Sequence, residues 1–178
     1  MQFKYLLSFP DIGYYAYPFP AGRLYIFSSR NSIKMILFGH EIDHKNDVER
    51  YFKENVSGEM KKAVKFFDGY LLGKDKPLPE LDMLPFTRKE TRIYENLKKI
   101  PFAETVSYND LSKMSGIPNG ARFIGNAMAK NFFPILIPCH RVIKSDGNTG
   151  NYSSGIKTKI FLLEHEKAVL KNRRAWKK

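Results

Sequence analysis

"SYNDLSKMSGIPNGARFIGNAMAK", residues Ser107–Lys130, decides how the second half of the chain folds. A serine followed three residues later by an acidic residue, Ser107 and Asp110, is a helix-start signal, because a serine oxygen accepts the otherwise unpaired amide of the first turn. It predicts a short helix over NDLSKMSG. Gly116–Asn119 reads as a turn, and Asn119 as the cap of a second helix running through Lys130. Two short helices joined by a tight turn containing glycine make the pattern of a helix-turn-helix.

The second of these helices has an unusual outer face. At about 100° per residue, Phe123, Ile124, Ala127 and Met128 fall on one side and Arg122, Gly125, Asn126 and Ala129 on the other. A glycine in an exposed helix costs about 1 kcal/mol relative to alanine. A near-bare face around one arginine therefore implies close approach of something, either a second helix of the same protein or a partner backbone. Recognition helices that read the major groove carry several long polar side chains. A smooth helix with a single long side chain fits the minor groove, with Arg122 entering the base stack as a wedge and little sequence being read.

Working outward, Thr87–Glu90 forms a capping box that starts a helix to about Lys99. The last strong helix is expected over 155–170, followed by KNRRAWKK as a frayed basic tail. Towards the N-terminus, apolar runs at 3–7, 22–27 and 33–38 predict a small antiparallel sheet. A helix follows over 59–72, with Val64, Phe67 and Leu71 at helical spacing. The glycine and two prolines of GKDKPLPELDML mark a linker. The fold class is thus α+β, with an N-terminal domain over 1–78 and a mainly helical domain over 82–178 that carries the chemistry.

Composition bounds the function. The chain has 178 residues, 43% hydrophobic and 14% aromatic, enough for packed cores. It has no long apolar run and no leader pattern, so it is expected to be soluble, cytoplasmic in a prokaryote or nuclear in a eukaryote. Its single cysteine, Cys139, excludes an internal disulfide and a thiolate zinc cluster. The net charge of +12 is lopsided: 1–81 hold 12 Lys/Arg against 10 Asp/Glu, and 82–178 hold 18 against 8. A basic second half favours a polyanion, nucleic acid before membrane, over a merely solubilising surface.

Cys139 lies in "PILIPCHRVIKSDGNTGNYSSG", residues 134–155. A nucleophilic cysteine acts as thiolate and needs a base or a positive charge beside it; His140 and Arg141 adjoin it. A buried inert cysteine is the alternative. On the wheel of the last helix, Glu166 falls inside the apolar arc of Ile156, Ile160, Leu162, Leu163, Val169 and Leu170. A carboxylate facing a core needs a partner. His140 is the natural one, giving a Glu166–His140–Cys139 chain; an escape to the helix rim or a lysine partner are the other readings.

PILIPCHRVI, preceded by VSYNDL and followed by GNYSSGI and FLLEHE, closely resembles the O6-alkylguanine-DNA alkyltransferases, the suicidal DNA-repair proteins. The resemblance is dense from Phe86 to Glu166. It implies irreversible, single-turnover transfer of the alkyl group of O6-alkylguanine, and of O4-alkylthymine, to Cys139 after nucleotide flipping from the minor groove of double-stranded DNA. It implies that Arg122 replaces the extruded nucleotide, with Gly125, Ala129 and Arg141 in the DNA-facing set. By the same resemblance, Tyr108 would crowd the 3′ phosphate and ease departure of the guanine, and Asn131 would tie the helix-turn-helix to the cysteine segment. The resemblance also implies that the carbonyls of Cys139 and Val142 accept from the guanine amine, that Ser153 donates to O6, and that Tyr152 shapes the wall. No cofactor and no metal are called for, and a monomer without a membrane partner is expected. Ser154 stands where many family members have glycine, so narrowing of the pocket against benzyl adducts is expected. The rival readings are a cysteine hydrolase and a non-catalytic sensor of alkylated DNA. One motif is set aside: His40 to His44 spell H-E-x-x-H, read as a solvated turn rather than a zinc helix.

Overall fold

The structure, a computed structural model, describes residues 3–42, 45–56 and 58–175. The chain divides into two compact units, Met1–Asp82 and Met83–Lys178, and the class is α+β.

The first unit is built on a four-stranded sheet of order β3-β2-β1-β4. Strands β1 (Gly13–Phe19) and β2 (Gly22–Ser28) form an antiparallel hairpin, β3 (Ile33–Phe38) flanks β2, and β4 (Lys53–Glu54) runs parallel to the start of β1. Helices α1 (Lys45–Tyr51) and α2 (Glu59–Leu71) complete the unit. Met60, Ala63 and Phe67 of α2 are buried, as are Leu24, Ile26, Phe27, Ile36 and Phe38 of the strands. The inward face of α2 is therefore rotated from expectation, and Val64 and Leu71 sit at its margin.

Two expectations fail here. The stretch 3–7 is a turn leading into a 3-10 turn, Leu6–Ser8, not a strand. β1 was not expected, because Pro18 interrupts it. Pro18 is tolerated because β1 pairs with β4 only at Gly13 and Tyr14, leaving the far edge of the strand at Pro18 without a ladder to break. The proline-containing stretch after α2 is also partly built into the unit: Ile33 pairs with Leu81. A buried Lys34–Asp82 ion pair of 2.6 Å holds it, and the Tyr5 hydroxyl donates to the same carboxylate at 2.7 Å. His40 and Glu41 lie in a 3-10 turn, Gly39–Glu41, where Glu41 accepts from the Phe38 amide at 2.6 Å. His44 lies outside the described residues. Among those described, no three His, Cys, Asp or Glu side chains are grouped to hold a metal ion.

The second unit begins with α3 (Arg88–Lys98), capped by the Thr87–Glu90 box. A two-residue strand β5 (Val106–Ser107) leads into α4 (Tyr108–Met114), whose cap is Ser107 accepting from the Asp110 amide at 3.0 Å. After the turn comes α5 (Ala121–Ala129). Its cap is Gly120, not Asn119, which takes a left-handed conformation at φ 56° within the turn. Ser112 of α4 organises that turn, accepting from the Gly120 amide at 2.9 Å and donating to the Ile117 carbonyl. A Cβ on Gly120 would sit 2.4 Å from Ile117 Cγ2, so only glycine fits. Strand β6 (Val142–Ile143) pairs parallel with β5.

The last helix, α6, spans Ile156–Ala175 and runs five residues past the expected end. KNRRA contains no breaker and is rich in good helix formers, so nothing stops it there. Its buried face is Thr158, Lys159, Leu162 and Glu166, whereas Ile156 and Ile160 are exposed. The expected apolar arc is thus displaced towards two ionisable residues. Tyr94, Leu97, Leu111, Ile124, Phe133 and Leu162 form much of the core. No described helix is long and apolar enough to cross a membrane.

Candidate active site

Pro138 ends a tightly turned loop, and Cys139–Arg141 form a 3-10 turn directly before β6. This turn sends Cys139 one way and His140 and Arg141 the other. Cys139 reaches the lining of a cavity of about 720 Å³, although the residue is only 3% exposed. The cavity is also lined by Tyr108 of α4, by Arg122, Gly125 and Ala129 of α5, and by Tyr152 and Ser153 of the loop before α6.

The sulfur is held from two sides. Asn131 Nδ2 donates to Sγ at 3.0 Å and to the Ile137 carbonyl at 2.9 Å, while its Oδ1 accepts from the Phe133 amide at 2.9 Å. One buried amide therefore connects the end of α5 to the cysteine loop. The Tyr152 hydroxyl lies 3.9 Å from Sγ. Burial pushes the Cys139 thiol up, and the contacts with Asn131 and Tyr152, together with the charge of Lys159, oppose that push.

His140 turns the other way and is fully buried, its Nε2 2.7 Å from Glu166 Oε1. Glu166 also accepts from Arg141 Nη2 at 2.9 Å, from Arg141 Nε at 3.1 Å, and from the Ala103 amide at 2.8 Å. Burial alone would raise the Glu166 carboxyl, but His140 and then Arg141 outweigh it and hold the group at about 2. Burial pushes His140 down, so at neutral pH the imidazole is neutral and Arg141 is the charge that holds the carboxylate ionised. An ionised carboxylate only accepts, which places the His140 proton on Nε2 and leaves Nδ1 as the basic nitrogen of the ring.

Arg141 corrects an expectation. It is 8% exposed, grips Glu166, donates from Nη1 to the Ile100 carbonyl at 2.7 Å, and lies over the Phe102 ring. It does not line the cavity, and its guanidinium is engaged by Glu166 and the Ile100 carbonyl. Its neighbours in the expected set are placed differently. Arg122 is exposed on the cavity wall and has no hydrogen-bond or ion-pair partner among the described residues. A Cβ on Gly125 would meet nothing within 4 Å, so no helix of this unit packs on that glycine. Phe123, expected inside, is 36% exposed.

Tyr108 is the first residue of α4, and burial, with the Cys139 sulfur as a second cause, pushes its phenol up. Gly150 packs against it: a Cβ there would lie 3.3 Å from the Tyr108 hydroxyl, and φ is +70°. The two expected acceptor carbonyls are both engaged, Cys139 by the Val142 amide and Val142 by Lys159 Nζ. A carbonyl has a second lone pair, so each can still accept. Ser153 lines the cavity, whereas Ser154 is 3% exposed and lies behind the lining. Sequence reasoning missed Lys159, Lys144 and Asn109. The last two line the cavity; Lys144 carries no motif signal, and Asn109 lies within VSYNDL without a role of its own there. Lys159 had one, since it shares the inward face of α6 with Glu166.

A relative from Haemophilus influenzae, named methylated-DNA–protein-cysteine methyltransferase, is 30% identical over 155 residues, 86% of this chain and 86% of that protein. The chain belongs to the methylated-DNA–protein-cysteine methyltransferase family. The family model described as "6-O-methylguanine DNA methyltransferase, DNA binding domain" matches residues 88–168. The rat protein of the same name is 50% identical over 94 residues, 51% of this chain. That match spans only 45% of the rat protein, so the chain spans about half the length of the mammalian relatives it matches. Among solved structures, Mycobacterium tuberculosis OGT in complex with DNA aligns with a TM-score of 0.71 at 27% identity, over 89% of this chain and 94% of that one. The dense agreement of the second unit coincides with the residues that surround Cys139.

Proposed function

We propose that the protein repairs O6-alkylguanine in double-stranded DNA by moving the alkyl group irreversibly onto Cys139, one event per molecule. The observation that carries this reading is the Cys139 sulfur in the lining of the cavity that the bare face of α5 also borders. The family and the DNA-bound relative support it.

In this reading α5 enters the minor groove, where the missing Cβ at Gly125 and the small Ala129 admit the sugar–phosphate backbone, and Arg122 fills the gap left by the extruded nucleotide. Extrusion is required because O6 is hidden within a duplex, and it costs a few kcal/mol. The thiol proton passes through water to His140 Nδ1. The thiolate then attacks the alkyl carbon in line with its bond to O6, the carbon–oxygen bond breaks, and that electron pair stays on guanine. Ser153 donates to O6, the carbonyls of Cys139 and Val142 receive the exocyclic amine, and the Tyr108 phenol, protonated at neutral pH, gives its proton to N3 and is reprotonated by His140 through solvent. A stable thioether remains, and nothing in the sequence of steps restores the thiol. An O4-alkylthymine presents the same alkyl–oxygen bond and is a second substrate. Residues 1–78 serve as scaffold and 82–178 as the DNA-binding and acceptor domain, as a monomer.

The test is to incubate the protein with an oligonucleotide containing O6-methylguanine and weigh it. The expected result is one added methyl on Cys139, a plateau at one equivalent, and no gain by Cys139→Ser. Turnover beyond one equivalent, or binding without an adduct, refutes transfer and leaves a hydrolase or a sensor respectively.

A further inference from the structure

Lys159 is fully buried in the first half of α6. Its ammonium donates to two carbonyls, Val142 and Thr149. These lie on opposite limbs of the hairpin that forms one wall of the cavity and is closed by bonds from the Lys144 amide to Asn148 and from the Gly147 amide to Lys144. Nζ is also 6.0 Å from the centre of the Tyr108 ring. No carboxylate among the described residues pairs with Lys159; the nearest buried one, on the same helix, is engaged by His140 and Arg141. A buried ammonium without a counter-ion is costly, and an apolar side chain would fill the space at lower cost. An anion that exists only at some stage of the function would offset that cost.

The groups that face the sulfur and the ammonium leave one such anion. Tyr94 of α3 and Tyr108 of α4 are kept protonated by burial. Tyr152 touches the sulfur with its hydroxyl. His140 is neutral, and Glu166 and Arg141 neutralise each other. Of the cations on this cavity, Arg122 and Lys144 are exposed and screened by water, which leaves Lys159 as the buried positive charge without a carboxylate, its ammonium held on the Val142 carbonyl three residues from Cys139.

We propose that Lys159 is a positioning residue for alkyl transfer: its buried ammonium staples the two limbs of the hairpin wall and supplies the charge against which the Cys139 thiolate forms. The coupling is mutual. Burial pushes Lys159 down and negative charge on Cys139 opposes that push, leaving it at about 8. The same bond fixes the Val142 carbonyl, so one side chain sets both the nucleophile and an acceptor for the base. The proposal rests on Cys139 being the nucleophile of the function proposed above.

The test follows the rate at which iodoacetamide alkylates Cys139, read by mass, as a function of pH. The thiolate displaces iodide, so the acid limb of the profile reports thiol ionisation without DNA. Lys159→Gln keeps a donor for the carbonyls and removes the charge; its acid limb should move upward by about one pH unit, a roughly tenfold slower reaction near pH 7. The difference from the wild type should narrow above about pH 8, where Lys159 itself gives up its proton. Lys159→Arg keeps the charge and should keep the limb. An unmoved limb in Lys159→Gln, or an equal shift in Lys159→Arg, overturns the proposal. If Lys159→Gln does not fold, Lys159→Met is read in the same way, and failure of both neutral variants while Lys159→Arg folds leaves a structural role alone and also overturns it. Methyl transfer from O6-methylguanine DNA to the wild type is measured in parallel, so loss of the functional reading is seen separately from loss of the thiol effect.

Discussion

Replacing Glu166 by glutamine removes one charge from a side chain that is 0% exposed and that ties three pieces of chain together: α6, the Cys139–Arg141 turn and the 100–103 segment. The carboxylate accepts from His140, from Arg141 and from the Ala103 amide, and Arg141 reaches on to the Ile100 carbonyl. Glutamine keeps one acceptor but turns an amide NH₂ towards donors, and leaves the Arg141 guanidinium buried without its counter-charge. Breaking a buried ion pair from one side costs about 3–5 kcal/mol. The acid dependence gives an independent figure. Glu166 is held at about 2 against its usual 4.5, and at about 1.4 kcal/mol per unit this amounts to about 3 kcal/mol. Because its value is lowered in the folded state, that stability is present above the unfolded value and is lost as pH falls from about 4.5 to about 2. Urea unfolding followed by far-ultraviolet circular dichroism should therefore show Glu166→Gln weaker by about 3–5 kcal/mol at pH 7, with the gap narrowing below pH 4. A loss under about 1 kcal/mol, the size for an exposed pair, or an unchanged gap at pH 3, refutes the argument.

Gly125→Ala should raise the stability of the folded protein by about 0.5–1 kcal/mol, since a methyl there meets nothing and helix propensity improves, yet weaken duplex DNA binding. Equal or tighter DNA binding in a filter or anisotropy titration contradicts close backbone approach at α5. Arg122→Ala should slow methyl transfer from duplex DNA far more than from a single strand or the free base, because its task is to support extrusion. An equal loss on all three substrates denies it that task.

What could be seen in advance follows from the range over which each signal acts. The boxes at Thr87 and Ser107 were legible because capping is decided within four residues. The Glu166–His140 contact was legible because an acid inside an apolar arc must find a partner, and few were on offer. Arg141 was misplaced because adjacency in sequence says nothing of which way a 3-10 turn sends each side chain. Lys159 was overlooked because a lysine is ordinarily solvated, and the carbonyls that hold it belong to a hairpin whose path no local pattern describes. β1 stayed hidden because whether a proline breaks a strand depends on which edge has a neighbour. Asn119 looked like a cap, and the turn instead took it into the left-handed region that asparagine tolerates.

Lys159 and Glu166 ride on a single uninterrupted helix, so their spacing is fixed by the helical rise at about 10 Å and their common direction by its pitch. Inserting or deleting one residue between them would swing one anchor about 100° around the axis, away from its target. Drift in this stretch can thus proceed by exchange of side chains but not by change of length, and a reading-frame-preserving indel here silences the site even where every residue type survives.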